Sequence, residues 1–186
     1  MASSPRSETV LTEEALARRH IVLVGMMASG KTTVGRLLAN RLGRRFVDSD
    51  EQVEARTGHT VRELFAVHGE PYFRARETEA LVDALAMSEP TVIAAAGGVV
   101  LAEANRSALR SGTAVVVWLR AEPKTLRDRI GSDPGHRPLL DDDPDAALAR
   151  LSASRAPLYA EVADHVIDVA PLSPDEIADQ IVGVLA

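Results

Sequence analysis

Cysteine is absent from the 186 residues, which excludes disulfides, thiolate metal sites and cysteine nucleophiles. Aromatic side chains make up only 3% of the chain, so an interior has to be assembled from Val, Leu, Ile and Ala. The 46% hydrophobic and 26% charged content is otherwise that of a globular protein, and the length suits one domain. An excess of positive charge is missing as well. The 21 basic and 27 acidic side chains give a net charge of −6, and the pI is near 5.4, which argues against nucleic acid or an anionic membrane as partner. No run is long and apolar enough to span a bilayer, and residues 1–19 lack the apolar stretch of an export signal, so a cytoplasmic location is expected. Lysine is almost missing: there are two, Lys31 and Lys124.

Residues 1–19 are polar and read as a mobile tail ahead of a single domain over 20–186. The domain begins with His20-Ile-Val-Leu-Val-Gly25, a continuous apolar run that a strand buried on both faces would show. Comparable runs recur at Thr91–Ala95, Thr113–Leu119 and His165–Val169, with a shorter one at Arg45–Val47. Helical periodicity fills Thr32–Leu42, Glu70–Met87, Pro123–Arg129 and Pro174–Leu185 between and after them. Five strands alternating with helices predict an α/β fold, a parallel sheet covered by helices on both faces through right-handed crossovers. The stretch from Gly131 to about Asp145 breaks the rhythm with Pro134, Pro138, Gly135 and an acidic run, and its length suits a lid. Asp143 reads as the cap of a helix whose first position is Pro144.

Gly25-Met-Met-Ala-Ser-Gly-Lys-Thr32 fits the phosphate-loop pattern G-x-x-x-x-G-K-[ST], with a strand running into it and a helix leaving it. Glycines let the backbone curl so that successive N–H groups point inward, and the helix N-terminus adds its positive end. Ala28, Ser29, Gly30, Lys31, Thr32 and Thr33 would then hold a nucleoside triphosphate, Lys31 on the β- and γ-phosphates and Thr32 on Mg²⁺. The chain is too short for the added domains of a motor and has no N-K-x-D element for guanine, so a small-molecule kinase is favoured.

Asp48-Ser-Asp50 closes the second strand at the sheet edge where open parallel sheets bind ligands. In extended geometry both carboxylates leave the same side, so one would face the metal and the other a substrate hydroxyl. A turn-and-cap pair opening a helix at Glu51, with Asp50 as the cap, is the structural alternative. Arg74, Arg137 and Arg155 fall at helix starts and in the long loop, and their forked donors match carboxylate and phosphate oxygens. An acid for hydroxyls beside arginines for an anion points to a hydroxylated carboxylic acid as acceptor.

From about His20 to the last helix the chain resembles the shikimate kinase family. The resemblance is carried by Gly25–Thr33, Asp48-Ser-Asp50, Val53-Glu54, Thr57-Gly58, Leu64-Phe65, Gly69-Glu70, Phe73-Arg74 to Glu77, Gly97-Gly98, Arg137-Pro-Leu-Leu140 and Arg155-Ala-Pro-Leu-Tyr159. It implies a three-layer P-loop kinase fold with a lid, and transfer of the γ-phosphoryl of ATP to the 3-hydroxyl of shikimate. It further implies that Asp50, Arg74, Gly97, Gly98 and Arg155 hold shikimate, with Asp50 on the hydroxyl, the two arginines on the carboxylate, and Phe65 and Phe73 along the ring. Glu77 would steady Arg74. Thr32 and, through water, Asp48 would hold Mg²⁺, Arg137 would reach the ATP phosphates from the lid, and Arg129 would stack on adenine. A monomer is expected. Relatives carry a third glycine where this chain has Ala96, and an ordinary φ is expected there. Kinases for a related acid (quinate, an aminoshikimate, gluconate) and an ATP-binding module without chemistry are the alternatives.

Overall fold

The computed structural model describes residues 18–130 and 143–185. Five strands, β1 (His20–Val24), β2 (Arg45–Asp48), β3 (Thr91–Ala94), β4 (Ala114–Arg120) and β5 (His165–Asp168), form one parallel sheet in the order β2-β3-β1-β4-β5. β1 lies at the centre, paired from Ile21↔Val92 to Leu23↔Ala94 on one side and from His20↔Ala114 to Val24↔Trp118 on the other. All five of its residues are buried, as the unbroken apolar run requires.

The strands' two-residue period divides the interior into two layers. Ile21, Leu23, Val92, Val117, Leu119 and Ile167 face α1 (Lys31–Leu42) and the last helix, α7 (Pro174–Leu185), where Val34, Leu38, Ile177 and Ile181 complete an aliphatic cluster. Val22, Val24, Ile93 and Val116 face the opposite way. They meet Leu81 and Ala84 of α3 (Val61–Leu85), Leu109 of α4 (Glu103–Leu109), Leu126 of α5 (Pro123–Ile130), and Leu148 and Tyr159 of α6 (Pro144–Val162). The expected α/β architecture, a five-stranded parallel sheet with helices on both faces, is the observed one.

A helix opening at Glu51 was expected and is present as α2 (Ser49–Thr57); two features were not read from the sequence, the first turns of α3 and the pair formed by a 3-10 turn at Val99–Leu101 and α4. α3 opens with a capping box in which Thr60 Oγ1 accepts from Glu63 N at 3.3 Å and Glu63 Oε2 accepts from Thr60 N at 2.7 Å. It bends at Gly69, whose φ of 79° and ψ of 169° no residue with a Cβ adopts readily. α2 and the start of α3 close on each other through Val53, Leu64, Phe73 and Ala80, a small separate cluster beside the β2 edge. Asp143 does cap α6, its side chain accepting from Ala146 N at 3.1 Å. Most of the expected lid, including Arg137, lies outside the described residues, as does the tail up to residue 17.

Candidate active site

The carboxyl ends of β1, β2 and β3 open onto a cleft of about 540 Å³ whose lining includes Ala28, Ser29, Gly30, Lys31, Thr32, Thr33, Asp48, Asp50 and Arg129. The loop between β1 and α1 forms one wall. Lys31 Nζ donates to the carbonyls of Gly25 at 2.9 Å and Met26 at 2.8 Å, so the ammonium lies inside the curl of its own loop. Ala28 takes a left-handed φ of 61° to complete that curl. Arg129, in the last turn of α5, donates from Nη1 to Ser29 O at 3.2 Å and from Nη2 to Val169 O at 2.9 Å. It thereby ties the loop to the segment that follows β5.

The two aspartates sit differently from the extended pair expected. The strand ends at Asp48, which is itself the N-cap of α2, and the helix starts at Ser49 rather than Glu51. Asp48 Oδ1 accepts from Asp50 N at 3.0 Å, satisfying one of the helix's orphan N–H groups. Its Oδ2 accepts from Thr32 Oγ1 at 2.7 Å, which joins β2 to the start of α1. Asp50 is therefore in the first helical turn, not in a strand and not the cap, yet both carboxylates border the cleft. Asp50 Oδ1 is sealed from solvent without a hydrogen-bond partner among the described residues. Burial, and then the negative charges of Glu77 and Asp48, push this carboxyl up to about 7, with Lys31 opposing them.

A second group of charges converges from α3, α6 and the turn after β3. Arg74 donates from Nη1 to Glu77 Oε2 at 2.6 Å and from Nη2 to Glu70 Oε1 at 2.7 Å. Its guanidinium carbon lies 5.9 Å and 5.4 Å from the ring centroids of Phe65 and Phe73, which are themselves 4.9 Å apart. Glu77 is buried, and burial raises its carboxyl even against the attraction of Arg74 and Arg155. Arg155, only 3% exposed, donates from Nη1 to Gly97 O at 3.1 Å. A Cβ added at Gly98 would coincide with the Arg74 guanidinium, so only glycine permits that approach. Ala96 keeps an ordinary φ, as expected, and its N–H donates to the buried Ser49 Oγ at 2.8 Å.

The structure thus gathers Lys31, Thr32, Thr33, Asp48, Asp50 and Arg129 around one cleft, and sets Arg74, Glu77, Gly97, Gly98 and Arg155 together beside Asp50. Sequence reasoning gave no role to Ser49, which ties the β2 end to the β3 end, or to Tyr159, whose hydroxyl donates to Gly97 O at 2.6 Å. The signals for Tyr159 were its place at the end of the Arg155-Ala-Pro-Leu-Tyr159 stretch that carries the resemblance and its position four residues after Arg155.

Comparison with known proteins gives this arrangement a family. The family model for shikimate kinase matches residues 27–186. Shikimate kinase of Symbiobacterium thermophilum is 54% identical over 149 residues, covering 79% of this chain and 84% of that protein. The shikimate kinase of Parasynechococcus marenigrum is 43% identical over 178 residues, 95% of this chain and 91% of the relative. Among solved structures, the shikimate kinase from Acinetobacter baumannii in complex with shikimate has a TM-score of 0.87 at 36% identity and covers 93% of this chain and 96% of its own. A gluconokinase from Sinorhizobium meliloti, 20% identical with a TM-score of 0.53, shares the fold alone. By its sequence over most of its length, the chain belongs to the shikimate kinase family.

Proposed function

We propose that this chain transfers the γ-phosphoryl group of ATP to the 3-hydroxyl of shikimate, giving shikimate 3-phosphate and ADP on the route to chorismate and the aromatic amino acids. The observation that carries the reading is a half-buried carboxyl, Asp50, which borders the phosphate-loop cleft and feels the charge of Glu77, the residue that Arg74 and Arg155 attend. Loop N–H groups and Lys31 take the β- and γ-phosphates, with Lys31 leaving its carbonyl partners for phosphate oxygens. Arg129, beside the loop and the segment after β5, flanks the nucleotide. Arg74 and Arg155 hold the acceptor's carboxylate, Glu77 keeps Arg74 turned toward it, and the face of Phe65 and Phe73 borders the ring.

Asp50 accepts the proton of the attacking hydroxyl. As it does so, the hydroxyl oxygen bonds to the γ-phosphorus, the bridging P–O bond breaks, and its electron pair leaves with ADP. A carboxyl held near 7 suits that exchange, because near neutral pH a substantial fraction is ionised and that fraction is basic enough to take a proton. Thr32 Oγ1 and Asp48 Oδ2, hydrogen-bonded at 2.7 Å at the mouth of the phosphate loop, are the hard oxygen donors that Mg²⁺ favours. Thr32 would hold the ion directly and Asp48 through water, and the ion would supply charge neutralisation on the β- and γ-phosphates. Dependence on ATP fits a cytoplasmic enzyme.

A coupled assay for ADP release, run side by side with shikimate, quinate and gluconate, tests the reading. Turnover with shikimate well above that with the others is the expected result. Turnover with gluconate and none with shikimate overturns it, and ATP binding without any acceptor-dependent ADP leaves a module without chemistry.

A further inference from the structure

We propose that Tyr159 is a positioning residue for the acid acceptor: by holding the Gly97 carbonyl it fixes the spacing between Arg155 and Arg74. The proposal rests on the assignment of those two guanidinium groups to the acceptor's carboxylate.

Arg155 and Tyr159 stand four residues apart on α6 and so share a face of the helix. Both are buried, at 3% and 1% exposure, and both donate to one oxygen, Gly97 O, at 3.1 Å and 2.6 Å. A carbonyl has two lone pairs, so the pair of donors saturates it. Burial outweighs the nearby Arg155 charge and pushes the phenol up to about 12, so the hydroxyl remains a donor over the whole working range of pH. The ring is held in turn by Trp118, its centroid 5.6 Å away, and by the aliphatic layer beneath.

The consequence passes along the backbone. The peptide after Gly97 is planar and trans, so fixing its carbonyl also fixes the Gly98 N–H and Cα on the other side. Gly98 is the surface on which the Arg74 guanidinium rests, with no room for a Cβ between them. The phenol therefore acts on Arg74 through Gly97 and Gly98, and on Arg155 through the oxygen they share. With the hydroxyl gone, Arg155 Nη1 alone would restrain the carbonyl, and the guanidinium would be drawn further onto it. Arg155 Nε has no hydrogen-bond partner among the described residues, so Gly97 O is the contact that orients this guanidinium.

Tyr159→Phe removes the hydroxyl and keeps the ring. We expect KM for shikimate to rise about tenfold, with kcat and the KM for Mg-ATP unchanged. The methyl ester of shikimate separates positioning from packing. Lacking the carboxylate, it does not use the spacing of the two arginines, so wild type and Tyr159→Phe should turn it over alike. An unchanged KM for shikimate, or equal losses with acid and ester, overturns the proposal while leaving the assigned activity intact. Wild-type protein that turns over neither compound overturns both. Should the variant not fold, wild-type sequence grown with fluorotyrosine gives two resonances, from Tyr72 and Tyr159. The Tyr159 resonance is expected to shift with shikimate and not with the ester; indifference to shikimate, or equal shifts with both, overturns the proposal.

Discussion

Asp50 is where chemistry and stability pull in opposite directions. Its carboxyl must be ionised to take a proton, and burial with neighbouring negative charge holds it near 7. The kcat/KM for shikimate should therefore climb with pH to a plateau above about 7. Asp50→Asn should abolish that limb and lower kcat by ~10²–10⁴-fold with ATP binding retained; normal turnover in the variant would remove Asp50 from the mechanism. The same shift acts on folding. Between the ordinary value of 3.8 and about 7 the native carboxyl keeps a proton that the unfolded chain has lost, so unfolding releases a proton and stability falls as pH rises. Asp50→Asn is free of that slope and should melt higher than wild type at alkaline pH, with little difference near pH 4. A melting difference that ignores pH would contradict the assignment. Arg155→Lys should chiefly raise KM for shikimate, since a single ammonium replaces a fork that both holds Gly97 O and offers further donors. An unchanged KM in that variant would put Arg155 outside the acceptor's notch.

Among the elements, the informative ones are those whose ends meet at the cleft. The phosphate loop was legible because its residue types and spacing are dictated together by one task, curling amides around phosphate, and by the strand and helix on either side. Asp48 and Asp50 were legible as a pair but not in their geometry: the Asp48 carboxylate caps α2, so the extended backbone stops at Asp48, two residues before the Asp50 that the spacing kept in the strand. α4 was not legible because its seven residues bury only Asn105 and Leu109, too few for a periodic signal. The bend in α3 shows in the sequence only as Gly69 followed by Glu70-Pro71, yet it decides how Phe65, before the bend, meets Phe73 after it. Gly69→Ala forces a Cβ into that conformation at a cost of about 1–3 kcal/mol. Tm should fall by roughly 3–10 °C, with a raised KM for shikimate; a melting curve identical to wild type would show that the bend carries no strain. Gly98→Ala should likewise displace Arg74 and weaken shikimate binding while sparing that of Mg-ATP, which calorimetry with each ligand would read.

For the whole molecule, β1, β3 and most of β4 are buried and show themselves as unbroken apolar runs, whereas the edge strands β2 and β5, read from similar signals, are each buried at one residue only. The order β2-β3-β1-β4-β5 could not be read that way, because it depends on pairings such as Ile21↔Val92 between segments far apart in sequence. That order places β1 between β3 and β4, so the phosphate loop emerges next to the Gly97–Gly98 turn, and it puts Asp48 and Asp50 at the end of the neighbouring edge strand. Donor and acceptor sites are thereby neighbours through topology, although their residues span Ala28 to Arg155. The central claim is that one γ-phosphoryl group crosses between those neighbours. It is tested most directly by ³¹P NMR of the protein incubated with Mg-ATP and shikimate. A phosphomonoester on the 3-hydroxyl of shikimate should grow in step with ADP. ATP that yields only inorganic phosphate, or that stays intact with shikimate present, would contradict the account.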